Sequence, residues 1–152
     1  MPCRWYLCTV AGSPCRGPCG APLAVRRAAL LHDIGKTKIP LDIVKKPGAL
    51  DKRERALIES HTTLGSEILM QTEGLHPLTP IVALEHHRGV KGTGYPNLGS
   101  AIPHPMSQIV SVADIYEALT GARTYQEAKP PERACLILAR CAGDKLNTGL
   151  VK

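Results

Sequence analysis

Leu30-Leu31-His32-Asp33-Ile34-Gly35-Lys36 closes an apolar stretch with an adjacent imidazole and carboxylate. Leu23, Ala24, Ala28, Leu30 and Leu31 read as a helix meant for burial. An ionised Asp33 at its end is costly unless it is paired or bound to a metal. Further along stand His61, the pair His86-His87, and Asp114, which is set among apolar residues in Ile109–Leu119. Four helical segments thus each supply one or two metal-capable groups, which is how a helical bundle builds a metal centre. Lys36, one turn beyond Asp33, adds an ammonium able to neutralise a phosphate oxygen.

Each group has an ordinary reading beside the functional one. His32 and Asp33 could be an exposed pair past a helix end. His61 follows a charged helix, where an imidazole in the last turn suits the helix dipole. His86 and His87 could be a surface pair beside Arg88. If both are helical they project about 100° apart, so they address two ions, or an ion and a substrate, more readily than one ion. Leu78, Ile81, Val82 and Leu84 make that helix buried on most sides, and Glu85 reads as a partner orienting an imidazole. Asp114 lies on a helix apolar on nearly every face, and an interior Asp needs a cation; the other reading is a polar stripe of Ser111, Asp114 and Glu117. His76 and His104 stand in proline-flanked loops and look incidental.

Composition narrows the class. The chain has 152 residues, 43% apolar, with no Phe and one Trp, so one domain is expected around a Leu, Ile, Val and Ala core. No window reaches the roughly 18 apolar residues of a membrane helix, and no signal segment is evident. A soluble cytoplasmic protein follows, without a membrane partner. A net charge of +6 suits an anionic substrate, but the basic residues lack aromatic interleaving, which argues against a nucleic-acid polymer. Cys3, Cys8, Cys15 and Cys19 have irregular spacings that make a poor zinc ribbon. Cys135 and Cys141 fall in an apolar helical pattern and read as small core residues.

Residues 1–22, rich in Cys, Pro, Gly and Arg, form an irregular lead. From there the pattern is helical, over about 23–32, 41–45, 51–60, 63–72, 78–88, 105–120 and 131–142. Asp51 with Glu54 makes a capping box. Thr79 caps a helix opened by Pro80, and Pro105 and Pro131 open the last two. Gly92-Thr93-Gly94-Tyr95-Pro96 follows the His pair. Its glycines permit close backbone approach, and Tyr95 offers a flat face that can line a site for a planar base.

Together, Leu30–Lys36, His61-Thr62-Thr63-Leu64-Gly65, His86–Pro96 and Ile109–Tyr125 resemble the HD-GYP branch of the HD-domain phosphohydrolases, over about residues 25–150. The resemblance implies an all-α HD-domain bundle with two or more divalent metals, iron or manganese, in its core. It implies hydrolysis of a cyclic dinucleotide, cyclic di-GMP above all, by metal-activated water. By position His32, Asp33, His61, His86, His87 and Asp114 are the implied ligands, with Asp33 bridging. Asp33 and Lys36 take the catalytic roles, and Lys36, Tyr95 and Arg123 contact substrate. Mixed imidazole and carboxylate donors suit such metals independently of the resemblance, and two metals support in-line displacement without a nucleophilic side chain.

The sequence departs from that pattern in places. No His precedes His32, Lys91 stands where an acid or amide is usual, and Gln126 replaces a second basic phosphate contact. Residues 23–152 therefore read as an HD-GYP-like domain without its first helix or helices and clipped in its last. The competing readings are a module that binds nucleotide or a signalling protein through the Gly92–Pro96 loop, and a fragment without function of its own.

Overall fold

The computed structural model describes residues 23–121 and 127–151. Helix α1 (Leu23–Leu31) leads through a 3-10 turn (Ile34–Lys38) to α2 (Leu41–Val44), α3 (Lys52–Glu59), α4 (His61–Met70) and α5 (Leu78–Glu85). A long loop then precedes α6 (Pro105–Thr120), α7 (Pro131–Cys141) and a short α8 (Thr148–Val151). Among the described residues there is no strand, only isolated bridges at Arg88–Gly94 and Ala142–Leu146. The all-α expectation holds. The lead over residues 1–22 with its four cysteines, and Arg123 and Gln126, lie outside the described residues. No described helix is long and apolar enough to cross a membrane.

Local chemistry sets the helix ends. Asp51 Oδ1 accepts from the Arg53 and Glu54 amides at 2.7 and 2.9 Å, and Glu54 Oε2 accepts from the Asp51 amide at 2.9 Å, the reciprocal box that starts α3. Pro105 opens α6, whose first turn is capped by His104 Nδ1 accepting from Met106 N at 3.2 Å. Thr79 is not a cap: α5 begins at Leu78, and Thr79 is buried within its first turn. His76 Nδ1 instead accepts from Leu78 N at 3.2 Å. The two histidines read as incidental therefore both serve helix starts. Helix α8, of four residues, is too short to leave a period in the sequence.

Packing also corrects the first helix. Val25 and Ala28 of α1 meet Val82 of α5 and Val110 of α6 in one core cluster. Leu23 and Leu30, expected in the core, are 59% and 84% exposed. They sit two residues from the buried pair, about 200° around the helix. In α5 the inward residues are Thr79, Val82 and Ala83, and Ile81 faces outward. A second cluster joins Val112 of α6, Leu138 of α7 and Leu146. Helix α7 buries Ala134 and Leu138, four residues apart; Cys141 packs half-buried against that second cluster, and Cys135 is half-buried.

Helix α4 is central, packed on both α5 and the 3-10 turn. Backbones meet there: a Cβ on Gly35 would run into the His61 carbonyl and lie 2.6 Å from the Gly65 amide. A Cβ on Gly65 comes no closer than 3.1 Å to Gly35 N. Overpacking against backbone has no side chain to yield, so Gly35→Ala is expected to cost about 3 kcal/mol. Gly65→Ala is expected to cost about 1 kcal/mol. Thermal melts of the two variants check this, and equal midpoints would show that the contact is looser than described.

Candidate metal centre

Three imidazoles stand directly after helix-ending residues, where the last carbonyls have no amide partner within the helix. His32 follows α1 and places Nδ1 2.7 Å from Ala29 O. His61 follows α3 and Ser60, with Nδ1 2.5 Å from Ile58 O. His86 follows α5, with Nδ1 2.9 Å from Ala83 O and 3.2 Å from Val82 O. A carbonyl only accepts, so each Nδ1 carries a proton that it donates three residues back. This fixes the ring, and in a neutral imidazole the Nε2 lone pair faces away from its own helix.

Those Nε2 atoms converge on Asp33. His61 Nε2 lies 3.2 Å and His86 Nε2 3.8 Å from Asp33 Oδ1. His32 Nε2 lies 3.4 Å from Asp33 Oδ2 and 3.8 Å from Asp114 Oδ1. His87 reaches the same region through Nδ1, 4.0 Å from Asp114 Oδ2. Lys36 Nζ sits 2.6 Å from Asp33 Oδ2. All six residues expected to bind metal are therefore gathered in one place, from four separate segments.

The donors fit a cation. His61 and His86 point their Nε2 atoms at each other across 3.3 Å, with both rings already donating from Nδ1, so lone pair faces lone pair. His32 Nε2 and Asp33 Oδ1 are buried without a hydrogen-bond partner, a cost that a bound cation would relieve. Asp33, His61, His86 and His87 each bring one donor atom into a group whose members all lie within 4.8 Å of one another. That group corrects the expectation for the His pair. The helix ends at Glu85, and beyond it the His86 and His87 rings are 4.1 Å apart and tilted by 45°, so both can address one ion.

Charge follows the geometry. Burial opposes protonation of His32, but Asp114 and Asp33 outweigh it and lift its imidazole to about 10. Burial and the neighbouring His87 push His86 down to about 3. Burial likewise lowers His87 to about 4, against the pull of Asp114. Asp33 and Asp114 are both held below the usual carboxylate range: burial works against this, but His32 prevails at each.

Tyr95 covers the other side. Its ring centroid is 4.7 Å from that of His87, at 38°, and 6.0 Å from that of His61. Burial, and then the charge of Glu59, hold its hydroxyl well above the ordinary phenol value. Gly94 lets the chain pass: its φ is 83°, and a Cβ would strike the His87 carbonyl. Glu85 does not orient an imidazole as expected. Its Oε2 accepts from His104 N at 2.7 Å and Ser107 Oγ at 2.9 Å, and its Oε1 lies 3.4 Å from the Arg88 guanidinium. Arg88, passed over as a surface neighbour, is 4% exposed and donates to Gly99 O at 3.2 Å and Ala101 O at 2.9 Å. It ties down the loop that carries Tyr95.

His32, Asp33, His61, His87 and Asp114 line a cavity of about 850 Å³, within the range of small-molecule sites. Lys36 and Tyr95, expected to contact substrate, border it. So do Arg55, Glu59 and Lys145, none of which stood out in the sequence; Arg55 and Glu59 look there like any helix-surface pair.

A sequence profile of the HD domain matches residues 20–149. The chain belongs to the HD domain family. This HD domain is 39% identical over 117 residues to the cyclic di-GMP phosphodiesterase response regulator RpfG of Xanthomonas campestris pv. campestris, across 75% of the chain and 31% of the relative. It is 38% identical over 116 residues to the 3'3'-cGAMP-specific phosphodiesterase 3 of Vibrio cholerae, across 75% of the chain and 25% of the relative. The chain thus spans a quarter to a third of these curated relatives. Among solved structures, a HDG"Y"P protein from Bdellovibrio bacteriovorus shares the fold, with a TM-score of 0.68 at 20% identity, over 89% of this chain and 43% of that one.

The shifts above set a pH optimum for the metal-free HD domain. His86 and His87 bind protons more readily when unfolded, so stability falls as pH drops from 6.5 toward their folded values of about 3 and 4. His32 binds its proton more tightly when folded, so its contribution is full below 6.5 and is lost as pH rises toward about 10. Urea unfolding of chelator-treated protein across this range is expected to show a maximum near pH 6.5. Stability still climbing at pH 9 would contradict the His32 environment.

Proposed function

We propose that this HD domain is a metal-dependent phosphodiesterase of the HD-GYP type, cleaving a cyclic dinucleotide, cyclic di-GMP foremost. The observation that carries the reading is the division of Asp33. Its Oδ1 faces His61 and His86, while its Oδ2 faces His32 and Lys36. Imidazoles facing both oxygens of one carboxylate support a bridging role for Asp33. His32, Asp33, His61, His86, His87 and Asp114 would hold two or more divalent ions, iron or manganese by their mix of imidazole and carboxylate. Such ions supply Lewis acidity, activating water and offsetting charge that develops on the phosphate oxygens.

The remaining work falls to the chain's own groups. The Nδ1–H bonds to Ala29, Ile58 and Ala83 orient the imidazoles before any ligand arrives, so little reorganisation is needed. Lys36, anchored on Asp33 at the cavity wall, brings an ammonium to a phosphate oxygen. Arg123 is assigned a second phosphate contact from its place in the motif. Tyr95, packed beside His87, forms an aromatic wall for a base. The relatives named above, which carry cyclic di-GMP and 3'3'-cGAMP in their names, support the substrate class.

Purified anaerobically and loaded with iron or manganese, the protein is expected to hold at least about two metal equivalents, in line with two-metal catalysis, and to hydrolyse cyclic di-GMP. Asp33→Ala is expected to retain less than about a tenth of the wild-type metal and no measurable turnover. Elemental analysis beside the activity assay checks both. Full metal content in Asp33→Ala would remove the bridging assignment.

A further inference from the structure

One wall of the cavity is not accounted for by metal donors. Arg55 and Glu59 stand one turn apart on α3, and both border the cavity together with Ile58 and Tyr95. Their charged groups approach to 3.8 Å, too far for a hydrogen bond. Neither side chain has another ion pair or hydrogen bond among the described residues. Exposed pairs at this spacing add little to stability, so the fold does not require them. A carboxylate is also out of place in a cavity built for phosphates, unless the ligand brings donors to it. Glu59 and Tyr95 line the same cavity, so an acid and an aromatic face are open to one ligand.

We propose that Arg55 and Glu59 read the base of the bound nucleotide and select guanine over adenine. The inference rests on the phosphodiesterase reading for the nature of the ligand. Guanine presents adjacent N1–H and N2–H donors, which a carboxylate accepts, and O6 and N7 acceptors, which a guanidinium fork matches. Adenine sets an N1 lone pair against the carboxylate and an N6 amino group against the guanidinium. Each mismatch leaves a charged group facing its own kind of partner. Tyr95 supplies the flat surface against which a base packs.

The test is equilibrium binding and steady-state hydrolysis of cyclic di-GMP and cyclic di-AMP by the metal-loaded full chain, with bis(p-nitrophenyl) phosphate as a base-free diester. The wild type is expected to bind cyclic di-GMP at least about tenfold more tightly than cyclic di-AMP. Glu59→Gln and Arg55→Gln are each expected to lose about tenfold in cyclic di-GMP affinity while cyclic di-AMP affinity stays within about twofold. Both side chains are partly solvated, 71% exposed for Arg55 and 35% for Glu59, so the variants should fold, and an unchanged melting temperature confirms it. Equal wild-type binding of the two nucleotides, or an equal loss for both in the variants, overturns the base reading. In that case wild-type hydrolysis of the base-free diester still upholds the phosphodiesterase. No hydrolysis of any diester brings down both.

Discussion

The site rests on a bargain between helix ends and imidazoles. A helix leaves its last carbonyls without amide partners, and a histidine just past the end can donate Nδ1–H to one of them. His32, His61 and His86 all do so. Capping and orientation are then the same event: the hydrogen bond that finishes the helix turns Nε2 toward the interior. Because α1, α3 and α5 end around α4 and the 3-10 turn, three such nitrogens meet at Asp33. The glycine contact between Gly35 and Gly65 brings the segment carrying Asp33 close enough for this to happen.

Electrostatics then divides the centre. His32 is drawn toward its charged form by two carboxylates, while burial drives His86 and His87 toward neutrality, helped at His86 by its neighbour His87. Two acids and Lys36 share a small volume with four rings, so the positive charge that balances Asp33 and Asp114 is held by His32 and Lys36. Divalent ions would take over that role and release the proton on His32, which is why affinity for metal and affinity for protons are linked here.

Much of this could be read from the chain because the chemistry is concentrated in unusual residues. An Asp among Val112, Ala113 and Ile115, or a His pair after Val82 and Ala83, has few ordinary explanations. Helix starts at Asp51 and Pro105 were legible because they depend on neighbours in sequence. What escaped depends on contacts distant in sequence. Leu23 and Leu30 are as apolar as Val25, and only the position of α5 and α6 decides which face is covered. The end of α5 at Glu85 is not legible in the sequence because nothing before Gly89 marks a stop, and it is His86 itself, bonded back to Ala83, that completes the helix. From the sequence Glu85 reads as an imidazole's partner and Arg88 as a surface neighbour, yet the two face each other inside the protein beside the start of α6.

That buried guanidinium has a wider consequence. Arg88 grips carbonyls eleven and thirteen residues further along, so the segment between is a ring of fixed circumference. Inserting or deleting residues there shifts Gly99 and Ala101 out of register with a donor that cannot reach water instead. Length variation should therefore be tolerated outside the ring, as between α4 and α5, and resisted within it. The segment bearing Tyr95 would then diversify by exchanging side chains rather than by growing or shrinking.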